Sequence, residues 1–411
     1  MTIIAHVPGS RSITNRALVC AALADGTSVL DGVLDADDTE AMLDCLAALG
    51  ITVRVEGDVA EVDGCGGAPA SGPRSLQTRL SGTTTRFVVP LCALGSGSYT
   101  VDASGAMRRR PMGDLLTTLG QLGVILRDTQ GHLPLTVEAS GGLDGGTVSI
   151  RGDSSSQFVS GLLLAAPAMR HGLDLRVDGE LKSRPFVEMT RSVMRSFGAH
   201  VVDGRVDPGG YRPTRYRIEP DALSACYFWA AAAITGATVR VDGIGASSIQ
   251  GDVAFVDVLE RMGCTVDKGP SYISVTGPTR LRAVEVDLSD ISDQAPTLAV
   301  VAAFAQGTTR AGGIGFIRHK ESDRIAAVVT ELSRLGVPAA EEPDGFLVHG
   351  RRPRPGSVET YDDHRIAMSF ALAGLVVPGI EILDPEVVGK TFPGYFGELA
   401  RFRSEWRGRR A

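Results

Sequence analysis

Six glycines, Gly26, Gly97, Gly172, Gly236, Gly307 and Gly379, recur along this chain of 411 residues at intervals of 71, 75, 64, 71 and 72. Each closes the same local pattern: a polar or charged start, an apolar Ala/Leu/Val-rich helix, the glycine, then a short β-like run. The pattern appears as "NRALVCAALADGTSVLDG", "TRFVVPLCALGSGSYTVDA", "SQFVSGLLLAAPAMRHGLDLRVDG", "ACYFWAAAAITGATVRVDG", "APTLAVVAAFAQGTTRAGG" and "HRIAMSFALAGLVVPGIEILD". A fixed period of this length means one supersecondary unit repeated, here six times. The six helices are apolar nearly all round, which predicts burial on every side. Their glycines fit left-handed helix C-caps. Amphipathic helices lie between them, such as "DTEAMLDCLAALG", "RPFVEMTRSVMRSFG" and "SDRIAAVVTELSRLG", each followed by a β-like segment. Two helices and several strands per unit give an α/β (α+β) class. A chain this long exceeds one hydrophobic core, so two similar domains of three units each are expected.

Composition removes several function classes. Hydrophobic residues make up 43% and charged residues 22%, an ordinary globular balance, and no apolar run approaches the ~20 residues of a membrane span. The start "MTIIAHVPGSRS" lacks the basic, apolar and small-residue regions of a signal peptide, so a cytoplasmic location with no membrane partner is expected. A net charge of -7 argues against a nucleic-acid partner. Cys20, Cys45, Cys65, Cys92, Cys226 and Cys264 form no CxxC pair and read as packed thiols, not zinc ligands or disulfides. Walker A, strand-following GxGxxG, GxSxG and metal-spaced His/Asp patterns are absent from the sequence.

The polar starts of the buried helices carry the chemistry. A buried helix N-terminus presents unpaired N–H groups and a positive dipole end, and several together make an anion site. The first unit offers Ser10, Arg11, Ser12 and Arg16; the second Ser81, Gly82, Thr83, Thr84, Thr85 and Arg86; the third Ser154, Ser155, Ser156 and Gln157. Any one hydroxyl is adequately explained as a helix cap, but repetition at equivalent places points to a ligand. In "AMRRRPMGD", Arg108 and Arg109 read as solvated charges, whereas Arg110 precedes a proline expected in a first helical turn. The second half adds Asp293 in "ISDQAPTL", Arg318 to Arg324 in "RHKESDR", Asp363, His364 and Arg365 in "YDDHRIAM", and Lys390 in "VGKTFPGYF". With a helix starting near Ser322, Lys320 and Glu321 fall on the loop entering it. Two carboxylates, Asp293 and Glu321, among many cations suggest proton transfer on a polyanion. Only four of the 41 basic residues are lysine, and two of these, Lys320 and Lys390, sit in such motifs. The residues alone describe an enzyme of two similar domains that binds phosphorylated and carboxylated small molecules.

The motifs "PGSRSITNRA", "SGTTTRF", "RRRPMGDL", "DSSSQF", "SDQAPTLAV", "RHKESDRI", "YDDHRIAM" and "KTFPGYF", in this order between about residues 7 and 400, resemble the 5-enolpyruvylshikimate-3-phosphate synthase family of enolpyruvyl transferases. The resemblance implies two domains of three βαβαββ repeats, an inside-out α/β barrel each. The first would span residues 10–219, the second residues 1–9 plus 220–411, with the active site in the cleft between them. It implies transfer of the enolpyruvyl group of phosphoenolpyruvate to the 5-hydroxyl of shikimate 3-phosphate with release of phosphate, by a monomer with no metal or organic cofactor. By motif position, shikimate 3-phosphate would be held by Ser12, Arg16, Ser155, Ser156, Gln157, Ser183, Asp293 and Lys320. Phosphoenolpyruvate would be held by Arg11, Gly82, Arg110, Gln157, Arg324, Arg365 and Lys390. Glu321 would protonate the methylene carbon and Asp293 would assist removal of the hydroxyl proton, with Arg11 and Lys390 completing the catalytic set.

This chain departs from that family at Arg11, where the family has Lys, and at Phe186, where it often has Tyr. Arginine is planar and always charged, so Arg11 binds an anion without relaying a proton. A related transferase acting on UDP-N-acetylglucosamine carries a Cys in the loop that reads "GAMRRRPMG" here, and so matches less well. A paralogue with another acceptor, or one that binds without turnover, rests on Arg11 alone.

Overall fold

The six apolar segments form helices whose side chains are enclosed on almost every side. The computed structural model describes residues 2–152 and 155–408, so Ser154 lies outside the described residues. Helices Arg11–Leu23, Gly82–Leu94 and Ser156–Ala165 each leave one residue outside the buried class, as does Ala222–Thr235, and Ala295–Ala302 and His364–Ala371 leave none. Continuous Ala, Leu and Val without a polar face has this outcome because only full enclosure removes the whole circumference from water. The amphipathic helices Asp37–Ala48, Arg184–Ser196 and Arg324–Arg334 bury one face each.

The strands repeat one topology. In the first repeat, Thr27–Asp31 runs parallel to Arg215–Arg217 and antiparallel to Val59–Asp63, which pairs antiparallel with Thr52–Glu56. The same parallel-antiparallel-antiparallel order occurs in the sheets centred on Ser96–Asp102, Leu173–Asp178, Thr238–Asp242 and Thr308–Gly312. Five repeats are therefore complete βαβαββ units. The sixth stops early: Gly356–Val358 pairs parallel with Ile380–Ile382, and the chain then ends in helix Tyr395–Gly408 instead of a hairpin.

Two of these sheets take their first strand from far away in sequence. Thr2–Ile4 pairs with Thr238–Asp242, and Arg215–Arg217 closes the sheet that begins at Thr27. The chain accordingly divides into two compact units, Gly9–Ile218 and Met1–Pro8 with Glu219–Ala411. Each contains three of the buried helices.

All six recurring glycines adopt positive φ, but the expected C-cap role holds for Gly236 alone. Its N–H donates to the Ala232 carbonyl from a left-handed conformation, φ 72°. Elsewhere the helix ends earlier and the glycine serves the turn or the strand that follows. Gly97 lies inside strand Ser96–Asp102, where an added Cβ would come within 3.2 Å of the Gly72 backbone. The expected proline position also needs correction. Pro111 precedes the helix instead of opening it, since the helix runs Gly113–Gln121 with Met112 as its cap residue.

Candidate active site

In the unit that ends at Ala411, the N-terminal ends of three helices and two loops meet around Asp293. This aspartate lies in a 3-10 turn, Ser292–Gln294, that leads into the wholly buried helix Ala295–Ala302. An aspartate at such a transition ordinarily caps the helix; Asp293 instead accepts three cations. Lys320 Nζ is 2.5 Å and Arg324 Nη1 2.9 Å from its Oδ1, and Arg365 Nη2 is 2.9 Å from its Oδ2. Glu321 is held in the same way, by Arg324 Nη2 at 2.9 Å and Lys390 Nζ at 2.9 Å. Lys320 and Glu321 lie on the entering loop, as expected, but the helix starts at Arg324 and its cap is Asp323, which accepts from the Ala326 N–H at 3.0 Å.

Three carboxylates and four cations therefore share one small volume, the third carboxylate being Asp363. Moving an ion out of water costs several kcal/mol even after relaxation, so a cluster of this kind is poor evidence for stability. The side chains of Asp293 and Glu321 keep 13% and 19% of their exposure while Asp363 keeps none. That difference separates groups a ligand can reach from one it cannot.

Burial alone would raise the pKa of Asp293, but the charges of Arg365, Lys320 and Arg324 outweigh it and hold the carboxyl well below the usual range. Burial lowers the Lys320 ammonium, with Asp293 pulling the other way. His364, wedged beside Asp363, is kept neutral by burial and by the nearby charges of Arg365 and Lys390. Behind Asp293, burial and the Asp293 charge push the Asp252 carboxyl up to about 7, against a 3.1 Å hydrogen bond from Gln294 Nε2.

Asp252 yields a pH prediction. Its folded-state value lies above the ordinary 3.8, so the native chain holds a proton that the unfolded chain has released. Stability contributed by this site thus falls as pH rises from about 4 to about 7 and is constant above. Asp252→Asn removes the titration and keeps an acceptor for Gln294. Urea midpoints at pH 4.5 and pH 8 should show the variant gaining on the natural protein at the higher pH; an equal gap at both contradicts the assignment.

The Gly9–Ile218 unit assembles a second set. Arg11 Nη1 lies 2.6 Å from Asp38 Oδ2, a carboxylate that is almost fully buried. Gly82 opens its helix between two guanidiniums: an added Cβ would lie 2.5 Å from Arg86 Nη1 and 2.7 Å from Arg110 Nη1. Arg86 is buried, its Nη1 donating to the Gly82 carbonyl and its guanidinium lying over the Phe158 ring. Gln157 Nε2 donates to Thr83 Oγ1 at 3.1 Å, joining the starts of two buried helices, and Ser155 caps the second by accepting from the Gln157 N–H. Ser12, Ser156 and Ser183 are each less than a tenth exposed.

Arg16 is held in place by protein acceptors. It is 2% exposed, and donates to Thr190 Oγ1, Ser160 Oγ and the carbonyls of Ser12 and Phe186. The rings of Phe87 and Phe186 lie within 6.0 Å of its guanidinium. Phe186 thus meets Arg16 through its carbonyl and its ring face. Arg108 pairs with Asp102 at 2.5 Å and Arg109 is exposed, as read from the sequence. All six cysteines are free, five of them buried with their thiols made less acidic by burial.

Adding one carbon at Gly82 tests the second set. Both nearby groups are flexible side-chain ends, so Gly82→Ala should melt within a few degrees of the natural protein while displacing the two guanidiniums. A displacement of about 1 Å at a binding group costs up to about a hundredfold in rate or affinity. Steady-state kinetics should show a substrate KM raised about tenfold or more, and unchanged KM values would exclude Gly82 and its arginines from substrate binding.

Among the described residues, no set of three or more His, Cys, Asp or Glu side chains is arranged to hold a metal ion, and no helix is long and apolar enough to cross a membrane. Asp38, Asp252 and Tyr227, whose hydroxyl lies 3.5 Å from Arg365 Nη1, are site neighbours that the sequence motifs did not offer, and Asp363 was offered without a role. Only Asp363 had a visible signal, its place beside Arg365.

Comparison with known proteins gives a consistent result. The family model described as EPSP synthase (3-phosphoshikimate 1-carboxyvinyltransferase) matches residues 2–399. A 3-phosphoshikimate 1-carboxyvinyltransferase of Nostoc punctiforme is 43% identical over 401 residues, 95% of this chain and 94% of the relative. One from Shewanella sediminis is 42% identical over 410 residues, 96% of this chain and 95% of the relative. The solved EPSP synthase of Acinetobacter baumannii superposes with a TM-score of 0.82 at 26% identity, covering 97% of this chain and 95% of that one. The enolpyruvyl transferase NikO of Streptomyces tendae shares the fold, with a TM-score of 0.76 at 21% identity over 98% of this chain and 94% of its own. With its six repeats, its two clusters of cationic and hydroxyl side chains at helix starts and these relatives, the chain belongs to the EPSP synthase family.

Proposed function

We propose that in this 3-phosphoshikimate 1-carboxyvinyltransferase Asp293 and Glu321 move the protons while the cations around them hold phosphoenolpyruvate. By their motif positions, Arg11, Gly82, Arg110, Gln157, Arg324, Arg365 and Lys390 bind that substrate. Shikimate 3-phosphate is held by Ser12, Arg16, Ser155, Ser156, Gln157 and Ser183, with Lys320 and Asp293 at its ring hydroxyls. The observation that carries the reading is the set of five ion pairs at Asp293 and Glu321, in which each carboxylate occupies cations that a substrate anion would take.

The chemistry follows from charge. Phosphate and carboxylate groups of two substrates repel one another, and fixed guanidiniums and ammoniums offset that repulsion before any bond changes. Glu321 donates a proton to the methylene carbon of phosphoenolpyruvate. The 5-hydroxyl oxygen adds to the adjacent carbon as Asp293 accepts its proton, giving a tetrahedral ketal. Phosphate then leaves with its electron pair, a methyl proton returns to the enzyme, and the carbon-carbon double bond is restored in the product. Drawing Arg324 and Lys390 onto substrate releases the Glu321 carboxyl from its two ion pairs. The family resemblance supports action as a cytoplasmic monomer.

Phosphate release from phosphoenolpyruvate, measured with and without shikimate 3-phosphate for the natural protein and for Arg11→Lys, tests the reading. Release that requires the acceptor in both proteins is expected, because either cation can pair with Asp38 and bind an anion. Release only in Arg11→Lys would mean that the natural chain uses another acceptor or none.

A further inference from the structure

Asp363 is fully buried, touches no surface a substrate can reach, and yet contacts three segments of the site. Its Oδ2 accepts from Arg324 Nε at 2.8 Å and from Ser322 Oγ at 2.9 Å. Its Oδ1 accepts from Arg324 Nη2 at 3.2 Å and from the Arg365 backbone N–H at 3.0 Å. We infer that Asp363 is the positioning residue that sets both substrate-binding arginines, Arg324 and Arg365, at one orientation; the inference rests on the assignment of those arginines to phosphoenolpyruvate.

The geometry of the guanidinium group carries the argument. Arginine offers five N–H groups in a rigid plane, and a carboxylate that takes the Nε/Nη edge in two parallel bonds fixes that plane. Asp363 takes the inner edge of Arg324 in this way. The outer N–H groups, on Nη1 and Nη2, then point at Asp293 and Glu321, at 2.9 Å each. Those two carboxylates are the partly exposed ones, so a substrate anion can displace them while Asp363 keeps its hold. Through Oδ1 the same carboxylate caps helix His364–Ala371 and fixes where Arg365 leaves the backbone. Through Ser322 it ties down the loop that carries Lys320 and Glu321. A single buried charge thus sets the distance between two anion-binding groups on different helices, which is the quantity that determines how well one substrate bridges both.

A purely structural role makes a different prediction. Asparagine is as good a helix cap as aspartate, so Asp363→Asn keeps the cap and one acceptor but loses the charge and one bond of the paired edge. The expected result is a folded variant with a lowered melting temperature, because buried Arg324 keeps only Asp293 and Glu321 as counter-charges, together with a KM for phosphoenolpyruvate raised about tenfold or more and a smaller change in the KM for shikimate 3-phosphate. The Arg324 Nε–H signal in a 15N NMR spectrum should also move upfield and exchange faster with water. Ser322→Ala, which leaves the paired edge intact, should raise the same KM by a fewfold only and serves if Asp363→Asn folds poorly. A natural KM in both variants, or equal losses for both substrates, overturns the inference. Arg324→Lys separates the two levels: if it leaves the KM for phosphoenolpyruvate unchanged, the assignment of Arg324 to that substrate fails, whereas a raised KM there with a natural KM in Asp363→Asn rejects the positioning role alone.

Discussion

Asp293→Asn is expected to lower kcat by about two to four orders of magnitude, the usual contribution of a positioned proton acceptor, without raising the KM for phosphoenolpyruvate. The second half of this result is the more diagnostic. In the natural protein Asp293 competes with substrate for Lys320, Arg324 and Arg365, each within 2.9 Å. An asparagine leaves those cations without that competitor, so a dianionic ligand meets a more positive site and binds at least as well. Loss in kcat without loss of ground-state binding identifies an interaction made in the transition state. Initial-rate kinetics over both substrates decides the matter; a raised KM with natural kcat would make Asp293 a binding group only.

Arg324→Ala should cost about 3 to 5 kcal/mol of stability, the range for removing one partner of a buried ion pair. The side chain of Arg324 is 1% exposed and that of Asp363 is not exposed at all. Truncating the arginine leaves the Asp363 carboxyl in a dry site with only the Ser322 hydroxyl and the Arg365 N–H as donors. The positive counter-charge cannot be replaced by water at that depth, so the penalty appears in full in a urea unfolding curve. Arg108→Ala supplies the contrast: the guanidinium is half exposed and Asp102 keeps the Ala103 N–H as a donor, so the midpoint should shift by less than about 1 kcal/mol. Equal small effects for both substitutions would mean that the cluster is wetter than its burial indicates.

Much of the architecture was legible because it rests on periodicity. Helix Ala222–Thr235 could only be buried, since no face of "ALSACYFWAAAAIT" is polar, and the repeat spacing placed its equivalents. The strand that completes each domain's first sheet was not legible: Thr2–Ile4 joins Thr238–Asp242 across more than two hundred residues, and pairing at that range leaves no local pattern. The shortened sixth repeat was hidden for a related reason, because the buried helix and its glycine are present while the hairpin is not. Within the site, Lys320, Glu321, Arg324, Arg365 and Lys390 announced themselves as charges at helix starts. Asp38 did not, because "DDTEAMLD" reads as an ordinary acidic first turn of an amphipathic helix, and its partner Arg11 lies 27 residues earlier. Arg16 was half legible: the sequence shows a guanidinium near an anion motif but not the four protein acceptors, on Thr190, Ser160, Ser12 and Phe186, that hold it in place.

In the proposed reaction the Glu321 carboxyl delivers a proton to the methylene carbon. Turnover in deuterium oxide tests it most directly, with the product and the remaining phosphoenolpyruvate examined for deuterium at that carbon by mass spectrometry. The account predicts deuterium in the product methylene for the natural protein, and for Glu321→Gln a loss of labelling in step with the loss of phosphate release. Labelling by Glu321→Gln at the natural rate, or natural product free of deuterium, would contradict it.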